Sequence, residues 1–215
     1  GWHDWYLAAN LGDNRSLAGH LLPGLEPNGV PEELRGTVLP FSYNDYEGLA
    51  KLVEANDIGV IKMEVSRNFG PENNFLEKVR ELATSRGIVL IFDECTSGFR
   101  ETFGGLHKLY GVEPDMAMFG KAMGNGYAIT AVIGRREVME SAQTSFISST
   151  FWTERIGPTA ALKTLEVMER TQSWEIVTKI GRDVSARWRS LASDHQLAIT
   201  TAGLSALPSF VFSGA

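Results

Sequence analysis

Two polar positions interrupt apolar sequence in a way that invites chemistry. Asp93, with Glu94 behind it, closes the run Ile88-Val89-Leu90-Ile91-Phe92, and Lys121 lies in Phe119-Gly120-Lys121-Ala122-Met123-Gly124-Asn125-Gly126. Acids ending a buried strand are costly unless they have partners. In a functional site that partner is a cation or a protonated ring nitrogen; otherwise the acids serve as a helix cap or a surface ion pair. A lysine withdrawn from water loses its proton and attacks a carbonyl carbon, and glycines around it let the backbone approach a ligand. An isolated Gly-Lys, by contrast, is most often an ordinary solvated lysine. The stretch is not a Walker loop, because the order Gly-x-x-x-x-Gly-Lys-Ser/Thr is absent. It is a poor dinucleotide fingerprint, because it does not lie between a first strand and a helix N-terminus.

The surrounding elements decide whether these two positions can meet. Ile58 to Val65 reads as a strand. Asn74 and Glu77 form a capping-box pattern, and Phe75, Leu76, Val79, Leu82 and Ala83 repeat at helical spacing until Gly87 offers a stop. The run 88–92 follows, and its continuous apolarity suits a strand covered on both faces. Strand, helix and strand in this order make a βαβ unit and an α/β fold. In such sheets ligands bind beyond the carboxyl ends of the strands, where Asp93 stands. Further strands are expected at 37–42, 116–119, 128–133 and within 203–212. A helix capped by Asn44 carries Leu49, Leu52 and Val53 on one face. Pro158 suits the start of another, with Ala161, Leu162, Leu165 and Met168 on its buried face. Ser173 is expected to cap a long helix whose apolar positions include Ile176, Val177, Ile180, Val184, Trp188 and Leu191. Residues 7–36 read as an irregular excursion.

An acid at a strand end and a lysine in a downstream glycine-rich turn are together what pyridoxal 5'-phosphate (PLP) chemistry needs. The lysine holds the cofactor aldehyde, and the carboxylate keeps the pyridine nitrogen protonated. The segment Leu90 to Arg100 resembles the strand-and-loop motif of class III aminotransferases: an apolar run, Asp-Glu-Val, a variable residue, Thr-Gly-Phe and then Arg. Glu113-Pro114-Asp115 with Phe119-Gly120-Lys121-Ala122 is similar to that family's Pro-Asp and Gly-Lys segments, and Asp93 and Lys121 are 28 residues apart. Ser149-Thr150-Phe151 and Gly157-Pro158-Thr159-Ala160-Ala161 resemble its Ser-Thr segment and the helix behind it. Gly98-Phe99-Arg100 and Gly134-Arg135-Arg136-Glu137-Val138-Met139 look like the glutamate-1-semialdehyde 2,1-aminomutase subgroup.

The resemblance implies a fold-type I PLP-dependent transferase, with a mostly parallel sheet flanked by helices. It implies a large domain over 1–170 and the beginning of a small α+β C-terminal domain over 171–215. Lys121 would be the Schiff-base lysine and proton shuttle, and Asp93 the partner of the pyridinium. Cys95, where Val is usual, would pack on the ring. Thr150 would bind the phosphate of a neighbouring subunit's cofactor, making a homodimer. Glu64 would support the site's hydrogen bonds. The implied activity is transamination between an amino donor and a carbonyl acceptor. The rivals are an intramolecular aminomutase and a non-catalytic truncated relative. Cys95, Thr96 in place of Met, Ser97 in place of Thr, Ala128 and Val65 depart from the pattern and favour a divergent aminotransferase. Gly1-Trp2-His3 resembles the continuation of a Tyr-His-Gly motif. Its stacking aromatic and a Ser-Gly-Thr phosphate cup are expected upstream, so the 215 residues read as a fragment.

Composition narrows the setting. A net charge of −6 without a Lys/Arg cluster argues against a nucleic-acid groove. No apolar run approaches the roughly 18–20 residues of a membrane span. Cys95 is the single cysteine, so no internal disulfide is available, and a reducing, cytoplasmic compartment is expected. His3, His20, His107 and His195 lack metal-ligand spacing, so no metal is expected, and His107 is read as a helix-surface residue. Arg155 is a candidate for an interface ion pair or a substrate carboxylate.

Overall fold

Apolar residues at alternate positions of neighbouring strands dictate which side chains share a face. The computed structural model of the chain describes residues 6–12, 26–147, 150 and 152–213. It contains β1 (Val60–Glu64), β2 (Val89–Asp93), β3 (Met116–Phe119) and β4 (Ala131–Gly134) in that spatial order, with β1, β2 and β3 parallel and β4 antiparallel at the edge. Glu64 is in register with Asp93, and Asp93 with Met118. Successive strand residues point to opposite faces. Ile61, Met63, Leu90 and Phe92 are therefore buried on one face, and Lys62, Glu64, Ile91 and Asp93 lie on the other, less covered one. A second sheet pairs β5 (Ile199–Ala202) antiparallel with β6 (Ser209–Phe212). The α/β fold expected from the βαβ pattern is the one observed.

The helical segments are α1 (Tyr46–Ala55), α2 (Phe75–Arg86), α3 (Arg136–Met139), α4 (Ile156–Thr171) and α5 (Ser173–Asp194). Contacts divide the chain into residues 1–57 and residues 58–215. In the first unit Leu7, Ala8, Ala9, Leu11 and Val30 form a small core with Leu34 and Val38. In the second, α2 packs on β2 through its predicted face, and Phe75, Leu76, Val79 and Ala83 are each at most 1% exposed. Gly87 ends α2 in the left-handed conformation, donating to Ala83 and Thr84, as expected of a glycine C-cap. A further cluster joins Ala117, Phe119 and Met123 to Ala161 of α4.

Several expectations are corrected. Residues 37–42 form no strand; Pro40 lacks the N–H that a ladder needs. Asp45, not Asn44, caps α1 by accepting the Gly48 N–H at 2.9 Å, while Asn44 takes a left-handed turn. Asn74 is also left-handed and makes no side-chain cap bond. Residues 128–130 precede β4 rather than belonging to it, and β5 was not anticipated. Leu162 of α4 is 70% exposed, and Ile176, Val177 and Ile180 of α5 are also exposed.

Asp115 ties the second unit together. Its Oδ2 accepts the Leu90 N–H at 2.8 Å and Arg80 at 2.9 Å, and Arg135 lies 3.2 Å from Oδ1. The ends of β2, β3 and β4 and the middle of α2 thus meet on one buried carboxylate. Asp115→Ala leaves the Leu90 amide and Arg80 without their acceptor. It is expected to lower the unfolding free energy by about 2–4 kcal/mol, measured by denaturant titration near neutral pH.

Candidate active site

The segments that leave β1, β2 and β3 at their carboxyl ends line one cavity of about 450 Å³. Arg67 and Asn68 come from the first, Thr96 and Arg100 from the second, and Lys121 from the third. The turn between β5 and β6 supplies the remaining wall, including Gly203, Leu204 and Leu207. Two hydrogen bonds hold this turn to the strand ends: Gly203 N–H to the Asn68 carbonyl at 3.3 Å, and Ala206 N–H to Glu101 Oε1 at 2.9 Å.

Lys121 opens a short 3₁₀ turn, Lys121–Met123, with φ of +43°. A non-glycine residue is uncommon there, and the conformation costs about 1 kcal/mol or more. The strain sits at the residue whose ammonium lines the cavity. Lys121 Nζ lies 2.7 Å from Thr96 Oγ1. Because a hydroxyl both donates and accepts, Thr96 serves Lys121 as acceptor when the amine is charged and as donor when it is neutral. The Cys95 thiol lies beside the same turn, 3.6 Å from where a Cβ on Gly120 would stand.

Asp93 faces the charged side of the sheet. Its Oδ2 receives Lys62 Nζ at 2.7 Å and its Oδ1 receives the Cys95 N–H at 3.1 Å. Burial is the largest single influence and raises its pKa, but Lys62 and the bonds from Cys95 together outweigh it, and the carboxyl is held below its ordinary value. The same surroundings act oppositely on Cys95. Burial, then the Asp93 charge, pushes the thiol up against the weaker pull of Lys121 and Lys62. Glu64, the register partner of Asp93, pairs with Arg67 at 3.3 Å.

Glu94 points the other way and is fully buried. It accepts from the Ser97 hydroxyl at 2.5 Å, from the His107 N–H at 3.0 Å and from His107 Nδ1 at 2.8 Å. His107 is therefore a buried partner at the start of a 3₁₀ turn and not a helix-surface residue. Gly98 is required by this fold of the loop. A Cβ there would stand 2.7 Å from both the Glu94 carbonyl and the Phe119 ring.

Of the residues expected from sequence, Glu64, Asp93, Cys95 and Lys121 all stand at or within two residues of adjacent strand ends, and of these four Lys121 alone lines the cavity. Thr150 is exposed and does not line the cavity, and its neighbours Ser149 and Phe151 lie outside the described residues, as do Gly1, Trp2 and His3. Arg155 is the N-cap residue of α4. Two residues at the site, Lys62 and Arg67, were missed by sequence reasoning, and two more, Thr96 and Arg100, were noted in the strand-and-loop motif without a role at the site. Lys62 carried a signal, since it is a charge inside an apolar strand, two residues from Glu64 and hence on its face. Among the described residues no cluster suited to a metal and no helix long and apolar enough to cross a membrane is found.

The family model for class-III aminotransferases matches residues 67–207, from the cavity arginine to the β5–β6 turn. The chain belongs to this family. It is 36% identical over 221 residues to the 3-aminobutyryl-CoA aminotransferase of Cloacimonas acidaminovorans, covering 99% of this chain and 49% of that protein. It is 38% identical over 159 residues to the glutamate-1-semialdehyde 2,1-aminomutase of Sulfolobus acidocaldarius, covering 71% of this chain and 38% of that protein. The chain thus spans about half or less of the length of these relatives. The FumI protein of Sphingopyxis sp. MTA144, solved in its PLP internal aldimine form, superposes with a TM-score of 0.84 over 99% of this chain and 56% of its own, at 23% identity. That likeness shows the fold.

The Glu94 arrangement carries a pH-dependent contribution to stability. Burial raises its pKa, but the bonds from His107, Ser97 and the Leu106 amide outweigh burial and hold the carboxyl below its ordinary value. A lowered folded pKa adds stability that is present above the unfolded value and lost as pH falls through the folded one. Glu94→Ala is expected to cost about 3 kcal/mol at neutral pH. Its deficit relative to the natural sequence should narrow in acid, measured by chemical unfolding at a series of pH values.

Proposed function

We propose that this chain is the catalytic core of a PLP-dependent aminotransferase that moves an amino group between an amine or amino acid and a carbonyl compound. The observation that carries the reading is the placement of Asp93 as the last residue of β2 and of Lys121 two residues beyond the adjacent parallel strand β3, with Lys121 facing the cavity. The residues fit the cofactor. The carboxyl of Asp93 is held below its ordinary pKa, and an ionised carboxylate has about four lone-pair sites, so the bonds from Lys62 and Cys95 leave acceptor capacity for a ring N–H. When bound, PLP supplies an aldehyde that captures the amine and a ring that accepts electrons from the substrate's α-carbon.

The chain's own groups do the rest. Lys121 would hold the cofactor and, as a free amine, would carry a proton at Nζ from the substrate carbon and back. Thr96, 2.7 Å away, steadies Nζ in both charge states. Asp93 holds the proton on the ring nitrogen. Cys95 would pack against the ring, and Glu64 pairs with Arg67 at 3.3 Å. Arg67, Arg100 and Lys121 make the cavity cationic, which favours a substrate bearing a carboxylate. Thr150 contributes to a partner subunit's site in a homodimer, and residues 171–215 begin the small domain. The several relatives named glutamate-1-semialdehyde 2,1-aminomutase support intramolecular amino transfer as the second reading.

PLP added to the full-length protein should produce an absorbance band at about 410–430 nm that is lost in Lys121→Ala. The same variant should lose activity by at least about 100-fold. No band with the natural sequence sinks the assignment. Turnover that requires a second carbonyl substrate marks a transaminase. Conversion of one substrate with no donor consumed marks a mutase.

A further inference from the structure

We propose that Lys62 is a positioning residue that sets how strongly Asp93 holds a proton on the cofactor's ring nitrogen, a role that rests on the aminotransferase reading above. Lys62 lies on β1, beside Asp93 on β2 and on the same face of the sheet. Its Nζ is 2.7 Å from Asp93 Oδ2, with the two side chains 22% and 15% exposed, so the pair is only weakly screened by water. The other groups facing Asp93 do not substitute for it. Cys95 donates its backbone N–H to the opposite oxygen. Glu64, alongside in register, is itself bonded to Arg67, and the register neighbour on β3 is the uncharged Met118. Lys121, beyond β3, bonds to Thr96.

A carboxylate that already carries one cation is a weaker partner for a second. The ammonium draws down the negative potential on Oδ2 and repels a protonated ring on the same acid. A lone aspartate would hold the pyridinium proton well above neutral pH. The Lys62–Asp93 pair, neutral as a whole, holds it less firmly and still keeps Asp93 ionised and oriented. Lys62 thereby limits how strong an electron sink the ring becomes, without touching the substrate.

The test uses the full-length protein with Lys62→Met and Lys62→Gln, which remove the charge, and Lys62→Arg, which keeps it. Without cofactor, the Asp93 carboxyl is titrated by ¹³C NMR. Both neutral variants should raise its midpoint, and Lys62→Arg should leave it near that of the natural protein. A midpoint unmoved in both neutral variants overturns the proposal whether or not cofactor binds. With PLP labelled by ¹⁵N in the ring, the neutral variants should raise the ring-nitrogen midpoint by about one pH unit, and Lys62→Arg should restore it. A moved Asp93 midpoint with an unmoved ring midpoint also overturns the proposal, because the lysine is then displaced when the cofactor enters. If the natural protein takes up no PLP while its Asp93 midpoint still responds to Lys62, the aminotransferase reading fails and this role fails with it, leaving only a structural ion pair.

Discussion

A carboxylate withdrawn from water must be paired, and the end of β2 carries two of them in succession. Because side chains of a strand alternate between faces, Asp93 and Glu94 cannot share a partner. Asp93 turns to the less covered face and meets Lys62. Glu94 turns into the core and meets Ser97 and His107. One constraint thus separates two tasks. The inward acid shapes the loop of residues 94–107, and that loop presents Thr96 to Lys121 and Arg100 to the cavity. The outward acid is held below its ordinary pKa by its partners.

Parallel pairing extends this to the rest of the site. With β1, β2 and β3 running the same way, the residues that follow each strand emerge at the same edge of the sheet, and the polar groups of three distant stretches are gathered there. Asp115 and its arginines keep those strands in register from below, through the Leu90 amide. The strained backbone at Lys121 is tolerated because the turn around it is fixed by bonds from Gly124 and Asn125 to the Lys121 carbonyl.

Much of this framework was legible from residue patterns. The runs expected as strands at 58–65, 88–92 and 116–119 match β1, β2 and β3 to within two residues at each end, and the spacing of Phe75, Leu76, Val79 and Ala83 is the buried face of α2. Strand and helix periods are local properties, and so they read well. What failed depends on chain segments far apart. The partner of Lys62 follows from a register between strands that are 29 residues apart at Val60 and Val89. His107 reads as polar and therefore superficial until Glu94 is seen behind it. The apolar positions of α5 repeat helically as expected, yet Ile176 and Ile180 remain more than half exposed, since periodicity states which residues would be covered and not what covers them. Asn44 and Asp45 are both good caps by type. Backbone geometry, with Asn44 left-handed, chose between them.

The β5–β6 turn lies more than 80 residues beyond Lys121 in the chain, yet it closes one side of the cavity and is moored there by the Asn68 carbonyl and Glu101. Reactivity and shape are therefore inherited from different stretches of polypeptide. Leu204 and Leu207 contour the space and carry no reactive group. A side-chain change in this wall would reshape the cavity and leave the Lys62–Asp93 pair and the Lys121–Thr96 bond in place.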